Sequence, residues 1–303
     1  MFSLKNLINF LNENGIDFEE NVSGKRLCSF HVGGNVRLVV KPCNIFQIEC
    51  LYNYLNANDI KNTLLGRGSN IVISDNGYDG VVVSLSKLDE INIDGCIIDK
   101  VSAGVSMYAL ATTAQKHGLT GLEFAQGIPG SVGGGIYMNA GAYGGEMSQV
   151  IKNVVCFDKK EGKIVNFDAN ECDFSYRHSV FQENKNLIIL FAKMELLCGN
   201  PDEIRAKMDV LKASRLEKQP LEYPSAGSTF KRPEGYFAGK LIEDVALKGY
   251  CIGGAQVSEK HAGFVINRGG ATASDVKELV EYIQKKVKEK FGVSLECEIE
   301  FVE

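Results

Sequence analysis

Leu4, Leu7, Ile8 and Leu11 recur at the three- and four-residue spacing of a helix with one apolar face, and Gly15 supplies a stop. Short β-rich runs follow at Val36–Val40, Ile71–Ile73 and Val81–Leu85, and further ones at Val154–Phe157 and Leu187–Ala192. Between them the pattern from Ser106 to His117 is that of an amphipathic helix closed by Gly118. Asn200-Pro201-Asp202-Glu203 reads as a helix start, with a cap, Pro in the first turn and acids at the positive end. That helix turns Ile204, Met208 and Leu211 inward and must stop by Pro220. A last helix opens on the capping box Thr272-x-x-Asp275, buries Val276, Leu279, Val280, Ile283 and Val287, and ends at Gly292. The closing strand, Leu295–Phe301, alternates with period two, placing Leu295, Cys297, Ile299 and Phe301 on one face. Strands and helices mix without a βαβ rhythm, which predicts an α+β fold. The change from strand-rich to helix-led sequence puts a domain boundary near residue 200.

The chain has 303 residues, enough for two or three cores. Its net charge of -5 argues against a general nucleic-acid binder, so an anionic ligand must meet a local cationic pocket. No apolar run reaches 18 residues, and the start Met1–Lys5 lacks a basic leader with an apolar stretch behind it. The expectation is a cytoplasmic protein without a membrane partner. The nine cysteines are scattered with no C-x-x-C pair and read as reduced thiols, and the four histidines lack zinc-ligand spacing, so no metal is expected.

The candidate chemistry lies in five segments. Leu64–Ile73 carries Gly66-Arg67-Gly68-Ser69-Asn70 between two strands, with backbone amides, a cation and side-chain donors available to phosphate oxygens. No third glycine or following helix completes a dinucleotide fingerprint, and a ligand-free glycine hairpin fits equally well. Gly127-Ile128-Pro129-Gly130-Ser131 leads into Gly133–Gly135 and then Met138-Asn139-Ala140-Gly141. This glycine density speaks against a packed helix, and the interleaved Ile128, Val132, Ile136 and Met138 speak against a linker, so a cofactor-enclosing loop is expected. Arg177 and His178 sit among aromatic and apolar residues in Phe174–Phe181, where a guanidinium needs a partner, and a surface salt bridge is the simpler account of the segment. Ser228 lies just ahead of Lys231 and Arg232, as a proton donor or merely a cap. Glu296, Glu298 and Glu300 share the polar face of the last strand, and nothing in their spacing singles one out.

In this order the segments resemble the UDP-N-acetylenolpyruvylglucosamine reductase family, also called UDP-N-acetylmuramate dehydrogenase. The matching pieces are Ser29-Phe-His-Val-Gly-Gly34, Gly66–Asn70, Gly121-Leu-Glu-Phe-Ala125 with Gly127–Gly130, and Met138–Gly144. Tyr176-Arg177, Gly227-Ser-Thr-Phe-Lys231, Lys260–Asn267 and Leu295–Glu298 complete the set. Ser29 stands where Thr is usual, and Ala246 where Gly is common. The compact stretch between Arg177 and Ser228 matches the shorter subclass without a Tyr-bearing lid insertion.

The resemblance implies a two-part FAD-binding domain over residues 1–200, with a break near 85. A smaller α+β substrate-binding domain follows over 201–303, its last strand returning near the flavin. It implies non-covalent FAD, NADPH as hydride donor, and a sugar-nucleotide substrate reduced during peptidoglycan precursor synthesis by a monomer. Ser228 takes the role of proton donor, and Arg177 with Glu298 stabilises the enol-like intermediate. Cofactor contacts fall on Gly66, Arg67, Gly68, Ser69, Asn70, Gly127, Ile128, Pro129, Gly130, Ser131, Gly134, Asn139, Ala140 and Gly141. Substrate contacts fall on Tyr176, Lys231 and His261. The competing readings are another flavin oxidoreductase of this class, oxidising an alcohol or sugar, and a nucleotide-binding regulatory module.

Overall fold

The structure is a computed structural model and describes residues 4–303, so Met1–Ser3 of the expected leaderless start lie outside it. Two compact units divide the chain. The first comprises the chain before Glu20, Leu38–Arg67 and Gly80–Ser214; the second comprises Glu20–Arg37, Gly68–Asp79 and Arg215–Glu303. This division differs from the expected single break near residue 200. Ile204 and Met208 of helix Pro201–Lys218 are packed in the first unit's core, while Phe30, Val32 and Val72 belong to the core of the second. Val83 and Leu85 likewise share one core with Ile98 and Val101, across the expected subdivision near 85.

The first unit is built on a five-stranded antiparallel sheet in the order Lys163–Asp168, Ile151–Asp158, Leu187–Glu195, Ile97–Ser102, Ile91–Asp94. Its central strand, Leu187–Glu195, is buried along most of its length, in keeping with its run of β-branched and apolar residues. Helix Met107–Lys116 starts where expected, the Ser106 hydroxyl accepting from the Ala109 N–H, and Gly118 follows it in the left-handed region. Helix Ile45–Ala57 has no counterpart in the expected elements, although Asn44 caps it by accepting from the Gln47 N–H. Strand Asn62–Leu65 runs parallel to Val81–Ser84, and strand Ile71–Ile73 pairs instead with Glu300–Val302. The glycine segment between them is therefore not a hairpin.

Glu123, inside the Gly121–Ala125 motif, is buried and fixes the turn before Gly127. Its carboxylate accepts from the Thr120 hydroxyl at 2.5 Å and the Gly121 N–H at 3.0 Å, with Lys207 at 3.5 Å. Burial alone would push this carboxyl up; the Thr120 and backbone hydrogen bonds with the Lys207 charge outweigh it and hold the group below its ordinary value.

In the second unit, helix Ala273–Phe291 has the expected capping box and buries all five expected residues, with Gly292 left-handed at its end. Asp75 adds a second cap, accepting from Ala273 N–H at 2.8 Å and Ser274 N–H at 2.9 Å. A small antiparallel sheet, Cys251–Ile252, Ala255–Val257 and Val265–Asn267, lies in the same core. The closing strand is shorter than predicted, Glu300–Val302. Leu295 and Ile299 are buried and Glu296 and Glu300 exposed, but Cys297 and Glu298 are both half-buried, so the expected alternation breaks at Glu298.

The expectation that the cysteines are all reduced thiols needs correction. Cys96 and Cys198 form a disulfide across 102 residues, with Cα atoms 5.9 Å apart. The turn between Ile91–Asp94 and Ile97–Ser102 brings Cys96 there, where its carbonyl accepts from Leu196 N–H at 3.0 Å. His178 gathers two carboxylates, its Nε2 lying 3.4 Å from Glu183 and 3.7 Å from Asp173, with both acids exposed at the surface.

Candidate active site

The second glycine-rich segment is a helix, Val132–Tyr137, contrary to the expectation of a loop. Its glycines answer to their neighbours. A Cβ on Gly133 would meet the Ala103 Cβ at 2.9 Å, and one on Gly135 would meet the Met107 sulfur at 2.9 Å. Close packing thus outweighs the propensity cost of about 1 kcal/mol per glycine. Ser131 caps this helix, and the segment Gly130–Val132 bonds to Val105–Met107 through Met107 N–H to Gly130 O and Val132 N–H to Val105 O. The two glycine-rich segments meet here, since a Cβ on Gly66 would lie 2.7 Å from the Ser131 hydroxyl. Gly66 thus packs against that hydroxyl, and Gly68 is required by the protein itself, since a Cβ there would sit 1.8 Å from Leu27 O at φ +65. Arg67 and Pro129 are exposed beside them, with Ser69, Gly127, Ile128 and Gly130 half-buried.

Gly134 is different. It is exposed, and a Cβ there meets nothing closer than the Ser131 hydroxyl at 3.5 Å. Among the described residues no packing demands glycine at this position, and the bare backbone leaves room for a ligand to lie against it. Gly134→Ala is expected to stabilise the apoprotein by about 0.5–1 kcal/mol through helix propensity while weakening flavin binding. Denaturant unfolding of the apoprotein beside a fluorescence titration with FAD checks both halves. Unchanged flavin affinity would remove Gly134 from the cofactor's surroundings.

Farther along, Asn139 is fully buried at φ 41, and its amide works within the protein. Nδ2 donates to Ser175 O at 2.9 Å, and Oδ1 accepts from Ser148 N–H at 2.9 Å. Ser175 and His178 exchange backbone hydrogen bonds, which closes a turn with Tyr176 and Arg177 at its tip. Arg177 there has φ 55, a conformation costing a side-chain-bearing residue roughly 1–2 kcal/mol. Its guanidinium donates to Gly141 O at 3.0 Å and lies over the exposed Tyr176 ring at 5.4 Å. Gln182 braces the turn by donating to Arg177 O at 3.0 Å. The partner that an arginine among aromatics required is thus a backbone carbonyl of the glycine-rich segment, with Ala140 next to it half-buried.

The second unit gathers the other set. Segment Thr229–Lys231 pairs antiparallel with Glu296–Glu298 around the bridge Phe230 to Cys297. Glu298 N–H donates to Thr229 O at 2.9 Å, and Lys231 N–H donates to Glu296 O at 2.9 Å. Ser228, exposed, is thereby fixed one residue from the contact that holds Glu298. Thr229, which sequence reasoning passed over, is the hub: fully buried, its N–H donates to Gly263 O and its hydroxyl accepts from Val265 N–H at 3.0 Å. His261 lies on the same turn, Nδ1 accepting from Gly263 N–H at 3.1 Å and the ring edge-on to Phe264. Burial, helped by the nearby Lys248 charge, pushes its pKa down. The three glutamates now separate: Glu298 is half-buried, Glu300 is exposed, and Glu296 is exposed and paired with Lys231 at 2.5 Å.

Residues 36–168 match the FAD binding domain family, and residues 219–302 match the UDP-N-acetylenolpyruvoylglucosamine reductase C-terminal domain family. A UDP-N-acetylenolpyruvoylglucosamine reductase of Caldanaerobacter subterraneus subsp. tengcongensis is 51% identical over 92% of this chain and 91% of its own. The chain belongs to the UDP-N-acetylenolpyruvoylglucosamine reductase family. The reductase of Clostridium novyi is 48% identical over 94% of this chain and 92% of its own. Among solved structures, the reductase from Thermus caldophilus superposes with a TM-score of 0.81 at 31% identity, covering 95% of this chain and all of that one. The fold of the reductase family, α+β with an FAD-binding domain, is therefore the fold of this chain. Both Gly134 and the Arg177 turn's anchor at Gly141 lie within the FAD-binding match, whereas Ser228, His261 and Glu298 lie within the C-terminal match. Among the described residues no helix is long and apolar enough to cross a membrane.

Proposed function

We propose that this reductase-family protein converts UDP-N-acetylenolpyruvoylglucosamine to UDP-N-acetylmuramate with NADPH as the electron source, acting as a cytoplasmic monomer in peptidoglycan precursor synthesis. FAD, when bound, supplies hydride transfer to the vinyl group. The residues proposed to hold it are Gly66, Arg67, Gly68 and Ser69 with Gly127–Ser131, Gly134, Ala140 and Gly141. Tyr176, Lys231 and His261 are proposed to hold the substrate.

The chain's own work is charge and proton management. Hydride arrival at the far vinyl carbon leaves negative charge beside the substrate carboxylate. Arg177 with Glu298 is proposed to stabilise the enol-like intermediate that results. The Ser228 hydroxyl is proposed as the proton donor. A hydroxyl is a weak acid, so it needs cationic surroundings to give up its proton. The observation that carries the reading is the pairing of Thr229 with Glu298. It fixes a hydroxyl and a half-buried carboxylate in adjoining segments that are 70 residues apart in the chain.

The test is a pair of anaerobic half-reactions. NADPH should bleach the flavin absorbance, and UDP-N-acetylenolpyruvoylglucosamine should restore it with one product formed per flavin. Restoration by oxygen alone, with no response to the enolpyruvyl substrate, would favour the alcohol-oxidising alternative.

A further inference from the structure

Parallel pairing of Glu300–Val302 with Ile71–Ile73 begins with Glu300 N–H donating to Asn70 O at 3.0 Å. In a regular parallel ladder the next bond would come from a backbone N–H to the carbonyl of residue 298. Here a side chain makes it: Asn70 Nδ2 donates to Glu298 O at 2.8 Å. Asn70 thus engages the 298–300 segment twice, once through its carbonyl and once through its amide. On its other side, Glu298 N–H donates to Thr229 O at 2.9 Å. Both backbone polar groups of Glu298 are therefore held, by two different segments, although residue 298 lies just outside the strand.

We infer that Asn70 is a positioning residue for Glu298, setting the peptide frame from which the proposed catalytic carboxylate extends. This rests on the functional reading above and assigns Asn70 a task other than cofactor contact. The chemistry of the residue fits. The site needs an N–H donor at the reach of a two-carbon side chain; Asp offers the shape without the hydrogen, and Ala neither. Without the donor, the Glu298 carbonyl loses the Asn70 hydrogen bond that anchors the segment between Cys297 and Ile299. A displacement of about 1 Å in a catalytic group costs up to about 10²-fold in rate.

The experiment uses the flavin-loaded enzyme and its Asn70→Asp and Asn70→Ala variants, so that one serves if the other does not fold. Flavin content and the rate of reduction by NADPH are expected to stay within about threefold of wild type. The limiting rate of reoxidation by the enolpyruvyl substrate should fall about 10- to 100-fold, with little change in the half-saturating concentration. Combining Asn70→Asp with Glu298→Gln should cost clearly less than the product of the single effects. Loss of flavin, or an equal fall in both half-reactions, would overturn the positioning role in favour of cofactor contact or folding. A rise in the half-saturating concentration alone would overturn it in favour of substrate binding. Wild-type enzyme that the enolpyruvyl substrate does not reoxidise would instead sink the functional reading, and this inference with it.

Discussion

Ser228→Ala is expected to leave flavin reduction by NADPH nearly intact while slowing reoxidation by the enolpyruvyl substrate by about 10²–10⁴-fold, the usual worth of a general acid. The residue is exposed, so the substitution opens no cavity in the core. Its neighbour Thr229 makes the structural bonds of this segment, through its own N–H, carbonyl and hydroxyl, and none passes through the Ser228 side chain. Folding and flavin content should therefore survive. Ser228→Cys should regain part of the lost rate, because a thiol can also release a proton. Rapid-mixing traces of the two half-reactions, followed at the flavin absorbance, measure both effects. Equal losses in the two half-reactions would move Ser228 from proton transfer to binding or structure.

Local features of this chain were legible, and long-range ones were not. The last helix could be read completely because its cap, apolar face and terminating glycine all lie within 21 residues, from Thr272 to Gly292. The Arg177 segment was legible in kind, as a guanidinium in need of a partner, but its partner at Gly141 lies 36 residues back. The helix Val132–Tyr137 was misread because the reason for its glycines is the closeness of Ala103 and Met107, which no spacing within the segment reveals. The Cys96–Cys198 bond, across 102 residues, was hidden for the same cause. Thr229 and Asn70 carry no chemistry that draws attention in sequence. Their importance comes from what folding sets against them, Glu298 at a distance of 228 residues in the case of Asn70. The resemblance to the reductase family brought Ser228 and Glu298 forward together, and the backbone supplies a physical link between them.

Glu298→Gln is expected to slow reoxidation by roughly 10²–10³-fold, the scale on which loss of one preorganised hydrogen-bonding group costs an enzyme transition state. The same change at its neighbours should do little, though all three share one polar face. Glu300 is exposed, and its contribution to the Asn70 contact is its backbone N–H, which a glutamine retains. Glu296 is 70% exposed and holds Lys231 in a surface pair, an interaction worth about 0–1 kcal/mol. Glu296→Gln releases Lys231, so any effect should fall on substrate half-saturation rather than on the limiting rate. Glu298 alone is half-buried, where its contact with the intermediate competes less with water and its loss is felt more strongly. Because Arg177 is proposed to serve the same intermediate, Arg177→Met combined with Glu298→Gln should cost less than the two singles multiplied. Limiting reoxidation rates for the three glutamine variants and the double variant decide the matter. If Glu296→Gln lowers the limiting rate as far as Glu298→Gln does, half-burial is not what selects the catalytic acid on this strand, and the carboxylate assignment falls.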